Sequence, residues 1–178
     1  MKAKGYQNNL NGGIQAIIDL ELKGGFLAIY HEMDEEDVIN ILKYPYSMIE
    51  TDGDLVASGK SIFPHPRSYG SFPRVIARYV RELKVLKLEE AIKKMTSMPA
   101  DQIRQYDRGR IQEGTYADLI VFDINRIQDK ATYTNSKIYS EGIEQMLING
   151  VFVIRNAELT NSRPGMWLHK KVYYNEAN

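Results

Sequence analysis

The 178-residue sequence contains no cysteine. Disulfides and thiolate metal sites are therefore excluded, while the redox compartment stays open. Histidine is scarce: His31, His65 and His169 are the three in the chain. None has a partner at His-x-His or His-x-x-x-His spacing, so the sequence carries no zinc signature of its own. Neither sign of charge dominates, with 23 basic and 23 acidic residues. No basic surplus points to nucleic acid, and no acidic tail points to disorder. No apolar run approaches membrane-spanning length. Residues 1–11 are polar and lack the apolar centre of a signal peptide. A phosphate-cradling glycine motif and a Gly-x-Ser-x-Gly elbow are also missing. These absences lead us to expect a soluble, cytoplasmic protein with no nucleic-acid or membrane partner.

What is present is ordinary for a globular protein, with 43% hydrophobic and 26% charged residues. The length suits one domain or two small ones. Residues 1–13, rich in Gly and Asn, read as a loop. Ile14, Ile17, Ile18 and Leu22 follow helical spacing, and Gly24-Gly25 supplies a stop. Residues 26–30 read as a short strand. Asp34-Glu35-Glu36-Asp37 opens a second helix with acids at its positive dipole end, and Tyr44-Pro45 closes it. Residues 46–50 then read as a strand running into Asp52. Pro73 is expected in the first turn of a helix whose apolar face is Val75, Ile76, Tyr79, Val80 and Leu83. Leu88, Ala91, Ile92 and Met95 mark a further helix, and a short one follows Met98-Pro99-Ala100. The order is that of an α/β protein. From about Arg108 the pattern changes to strands at residues 117–123, 143–148 and 151–154. The last two flank Asn149-Gly150, a strong hairpin signal. Residues 125–141 read as a long polar surface excursion. We see no repeat or low-complexity segment, and divide the chain into residues 1–107 and 108–178.

Asp52 is the sharpest single residue. A carboxylate at a strand end can take a proton from a metal-bound water or ligate a metal, since ligands of α/β proteins bind at strand ends. The alternative is a plain Asp-Gly turn. Arg67, between prolines and a Ser-Tyr-Gly, can grip a carboxylate with its planar fork. The alternative is a surface arginine in a proline-rich loop. His65 could contact a ligand, though a loop histidine is more often solvated, and His31 could reach a pocket but has no partner at metal spacing; His169 lies in the terminal tail and is given no role.

The segment Phe63-Pro64-His65-Pro66-Arg67-Ser68-Tyr69-Gly70-Ser71-Phe72-Pro73-Arg74-Val75 resembles the D-aminoacylases, the N-acyl-D-amino-acid deacylases of the amidohydrolase superfamily. The likeness continues through Arg78-Tyr79-Val80-Arg81-Glu82 and from Leu88 to Ala100. Asp107-Arg108-Gly109, Ala117-Asp118-Leu119-Ile120-Val121-Phe122-Asp123 and Asn149-Gly150 resemble the tail shared by the wider superfamily, and Arg163-Pro164-Gly165 the aminoacylase ending. The resemblance implies the C-terminal part of a (β/α)8 barrel, its last strand and flanking helices, plus part of a small β-sandwich domain. It implies hydrolysis of N-acyl-D-amino acids with zinc in the intact enzyme. Asp52 would be the general base acting on zinc-activated water, Arg67 the clamp on the substrate carboxylate, and Tyr69 a pocket-shaping residue. The family's metal-ligating histidines and cysteine lie in earlier barrel strands and have no match here. Beyond a possible contribution from Asp52, the chain is expected to supply no metal ligand, to hold no cofactor alone and to be inactive alone. A missing N-terminal barrel segment is its implied partner, and exposed strand edges favour a homo-oligomer. Glu50-Thr51 replaces the family's Gly-Ser before the aspartate, and residues 54–62 depart from its pattern. The rival reading is a non-catalytic truncated or partner-binding domain.

Overall fold

A computed structural model describes residues 5–26, 32–54 and 64–169. The expected strand at residues 26–30 falls almost wholly outside the described residues, as do His31 and most of the 54–62 loop. Two compact units are present, Met1–Met33 and Asp34–Asn178.

In the first unit α1 spans Leu10–Leu22. It begins four residues before Ile14, because the Asn9 side chain accepts the Gly12 N–H at 2.9 Å and caps it. The helix therefore takes in Gly12-Gly13, which had read as loop. Gly12 packs on the Gln7 backbone with no room for a Cβ. The stop at Gly24-Gly25 is as expected, both residues having positive φ.

In the second unit Asp34 caps α2 (Glu35–Lys43), accepting the Glu36 N–H at 2.7 Å. Tyr44 leaves the helix with ψ 126°, as the following proline requires. The expected strand at residues 46–50 does not form among the described residues. A strand needs a neighbouring strand to take its backbone groups. Here the Ile49 N–H goes instead to the Lys94 carbonyl at 3.1 Å, at the end of a helix.

The Pro73 helix also differs from expectation. It starts earlier, as α3 (Arg67–Arg74), with Pro73 inside it, and continues as a π-helical run over Val75–Glu82. Pro73 has no N–H for the Tyr69 carbonyl one turn back. The Ser140 hydroxyl donates to that carbonyl at 3.0 Å instead. The π run buries Val75, Ile76, Ala77 and Tyr79. Val75, Leu86 and Ala91 form a core with Leu42, Ile49, Val80, Val85 and Met95 packed on it. Full burial of a Val or Leu side chain stabilises by roughly 1.5–3 kcal/mol. The core thus fixes α4 (Leu88–Met95) and the strap through Ile49 against the π run, and α5 (Ser97–Gln102) follows.

The remaining described residues carry a four-stranded antiparallel sheet in the order β1 (Leu119–Phe122), β2 (Ile143–Ile148), β3 (Val151–Arg155), β4 (Glu158–Leu159). Asn149 and Gly150 turn the β2–β3 hairpin with φ of 50° and 78°. Four stretches of the family resemblance meet here. The Arg108 guanidinium bonds Asp118 and the Asn149 side chain and lies over the Tyr116 ring. Asp118 also accepts the Asn149 N–H, and the Asn149 amide donates to the Pro164 carbonyl. These motif residues tie the hairpin to the helical part of the unit. The 125–141 excursion is anchored too. Ile127 is 2% exposed, and Arg81 donates to the Ile124 and Ile127 carbonyls and to Gln128.

Candidate functional site

The strap after α2 delivers Asp52. Its φ of 44° is unusual for a residue other than glycine, though Asp tolerates it better than most. Two neighbours fix the turn. Gly53 lies against Ser68, where a Cβ would come within 2.8 Å of the Ser68 Cα. Its N–H donates to Thr51 Oγ1 at 3.1 Å. The Asp54 N–H donates to Ser68 Oγ at 3.1 Å. Ser68 is the second residue of α3, and Arg67 is the first. The helix start and the Asp52 turn are thereby locked together.

Arg67 Nη2 stands 2.9 Å from Asp52 Oδ2. The side chains are 42% and 73% exposed respectively. An ion pair that open contributes at most about 1 kcal/mol to stability. Both groups are accessible to a ligand. The Arg67 N–H donates to His65 Nδ1 at 3.1 Å, so the histidine shapes the approach to the helix.

Tyr69 is set on another flank. Residues two apart on a helix do not face each other. The Tyr69 ring packs with Tyr139 at 5.7 Å, and its carbonyl holds Ser140. His65 meets the edge of Tyr133 at 5.3 Å. The structure thus brings Asp52 and Arg67 together and places Tyr69 beside the excursion. Further along α3, burial opposes the Arg74 charge, but the Asp129 carboxylate at 3.1 Å and Tyr79 raise its pKa overall.

Three residues whose hydrogen bonds hold this frame were missed in the sequence. Ser68 and Ser140 gave no signal, because their roles depend on long-range contacts. Lys94 gave one: it lies three residues after Ala91 on the buried face of α4, and is itself buried. Among the described residues no group of three or more His, Cys, Asp or Glu side chains could hold a metal ion. The donors described do not fit a zinc site by themselves.

An exposed acid–guanidinium pair on a helical frame thus precedes a small antiparallel sheet. Residues 23–154 match the amidohydrolase family, and the chain belongs to it. It is 42% identical over 143 residues to an N-acyl-D-glutamate deacylase of Alcaligenes xylosoxydans xylosoxydans, covering 80% of this chain and 28% of that protein. It is 39% identical over 138 residues to a D-aminoacylase of the same organism, covering 78% and 28%. The crystal structure of a D-aminoacylase superposes with a TM-score of 0.67 at 38% identity, over 73% of this chain and 27% of that one. The N-acyl-D-glutamate deacylase of Bordetella bronchiseptica, solved with zinc and a phosphonate mimic of the tetrahedral intermediate, gives 0.62 at 40%, over 68% and 25%. The resemblance to D-aminoacylases is borne out, and the chain spans just over a quarter of the length of these curated relatives.

Proposed function

We propose that this chain is the portion of a D-aminoacylase-type amidohydrolase that supplies its proton acceptor and its carboxylate clamp. In this reading residues 1–107 belong to the C-terminal end of a (β/α)8 barrel, and residues 108–178 to the C-terminal share of a small β domain. The substrate is an N-acyl-D-amino acid. Water adds to the acyl carbon and the C–N bond breaks, giving a carboxylate and a free D-amino acid. Asp52 accepts the proton of that water and returns it to the departing nitrogen. Arg67 holds the α-carboxylate, and Tyr69, packed on Tyr139, shapes the flank of the pocket. Zinc belongs to the assembled enzyme and is held by segments outside this chain.

The 2.9 Å approach of Arg67 to Asp52 carries the proposal. In an N-acyl amino acid a single Cα separates the amide nitrogen from the carboxylate. A group that protonates the nitrogen must therefore stand beside the group that binds the carboxylate. The second reading, a non-catalytic partner-binding domain, draws on the exposed β1 edge at Ile120 and Val121.

Hydrolysis of N-acetyl-D-glutamate separates the two. The purified chain, supplied with zinc, is expected to show no turnover. Activity is expected on mixing with the N-terminal portion of the related deacylase. In that assembly Asp52→Asn lowers kcat by about 10²–10⁴-fold. Arg67→Met acts mainly on KM. Turnover by the zinc-loaded chain alone at an intact deacylase's rate refutes the division of labour. An inactive assembly leaves the partner-binding reading in place.

A further inference from the structure

Lys94 is the most deeply buried charged residue described, 1% exposed. A lysine ammonium has three donors and no acceptor. All three are directed at one turn: the Tyr44 carbonyl at 2.5 Å, the Ser47 carbonyl at 3.1 Å and Ser47 Oγ at 3.0 Å. The Lys94 carbonyl meanwhile accepts the Ile49 N–H at 3.1 Å. One residue therefore grips the strap twice, with its side chain at 44–47 and its backbone at 49. Asp52 comes three residues later, and the strap's far end is fixed on Ser68 through Gly53 and the Asp54 N–H.

We infer that Lys94 is a positioning residue for Asp52, clamping the strap so that the carboxylate is presented to Arg67. The inference rests on the reading of Asp52 and Arg67 as the site. Its chemistry is the reach of a buried cation. The Tyr44–Ser47 turn has carbonyls that α2 cannot satisfy, since the chain leaves the helix there. An ammonium at their centre fixes the direction in which the strap departs. Ser47 Oγ, whose single hydrogen is shared between the Ile41 and Tyr44 carbonyls at 2.7 and 2.9 Å, links the clamp to the last turn of α2. With Ser68 closing the other end, Asp52 is held at its positive φ between two anchors. Other buried polar side chains serve the frame: Arg108 holds the β2–β3 hairpin, and Gln105 donates to the His169 carbonyl.

Side-chain NMR of this chain tests the inference. In the wild-type chain, Asp52→Asn is expected to shift the Arg67 Nε–Hε signal. In the Lys94→Met background that response is expected to fall below half. Exchange of the Ile49 amide is expected to quicken roughly tenfold or more, as the loss of hydrogen bonds to a charged group implies. The β2–β3 hairpin amides should keep their shifts and exchange rates. A purely structural lysine would raise exchange throughout and leave the Asp52–Arg67 response intact, which overturns the inference. An Arg67 signal indifferent to Asp52→Asn in the wild-type chain overturns it together with the site reading. If Lys94→Met does not fold, Ser47→Ala takes its place. It removes one of the three acceptors and should cause a smaller loss in the same direction; an unchanged response there overturns the inference.

Discussion

Asp19 and Tyr6 show how one side-chain contact sets a pH window. The Tyr6 hydroxyl donates to Asp19 at 2.8 Å and the Gln15 amide donates at 2.8 Å. The Gln15 and then the Tyr6 hydrogen bond hold the Asp19 carboxyl below its ordinary pKa. The same Asp19 contact raises the Tyr6 hydroxyl. A carboxyl lowered by folding adds stability above its unfolded value and loses it as pH falls through the folded one. A hydroxyl raised by folding adds stability below its unfolded value and loses it as pH rises through the folded one. The Tyr6–Asp19 tie is thus intact at neutral pH, opens in acid and opens again in strong alkali. Tyr6 ring shifts followed by NMR should show both transitions, and Asp19→Asn should remove the acid one. Persistence of the acid transition in that variant would mean that another group governs it. None of this was legible in the sequence, where Tyr6 and Asp19 lie 13 positions apart. Asp52 and Arg67 carry local signals, an acid before glycine and an arginine between proline and Ser-Tyr-Gly, that fit a plain turn and a surface arginine equally well; only the structure brings the two within 2.9 Å. Lys94 was not read, because a charged residue among helical positions is normally solvated.

At the scale of elements, capping and turn chemistry were readable and long-range satisfaction was not. Asp34, Tyr44-Pro45 and Asn149-Gly150 act within a few residues of themselves, so their sequence signals sufficed. The apolar run at residues 46–50 looked like a strand because period and composition cannot tell whether a pairing partner exists. The sequence favours a first-turn place for Pro73 because that position needs no N–H. The interior position is tolerated because Ser140 takes the Tyr69 carbonyl from outside the helix. The compensation is testable as a double-mutant cycle. Ser140→Ala leaves that carbonyl without its donor and should destabilise the chain by about 1–3 kcal/mol. Pro73→Ala supplies an N–H one turn along, which can close the ordinary helical bond. In the Pro73→Ala background the same serine substitution should therefore cost markedly less. Urea denaturation of the four proteins measures the coupling. Additive effects would show that Ser140 does not stand in for the missing helical donor.

At the scale of the whole molecule, the open sheet edge becomes the decisive feature. Among the described residues β1 pairs with β2 alone, and β4 at the opposite side is two residues long. The β1 edge is longer, and Ile120 and Val121 on it are exposed. Unpaired N–H and C=O groups along such an edge template the addition of another strand. Under the proposed function, the natural occupant is the remainder of the small β domain, from the part of the relatives' length that this chain does not span. A second copy of the chain can present the same edge in its place, and two such edges related by a twofold axis pair antiparallel. The chain alone is therefore expected to self-associate. Sedimentation equilibrium should show a dimer growing with concentration. Ile120→Lys should weaken it, because a charge on an edge strand opposes pairing, while an exposed position keeps the effect on folding within roughly 0.5 kcal/mol. Adding the N-terminal portion of a related deacylase should dissolve the dimer, since both compete for the same backbone groups. A wild-type chain that stays monomeric at high micromolar concentration would refute self-association. A dimer indifferent to Ile120→Lys would move the contact away from the β1 edge.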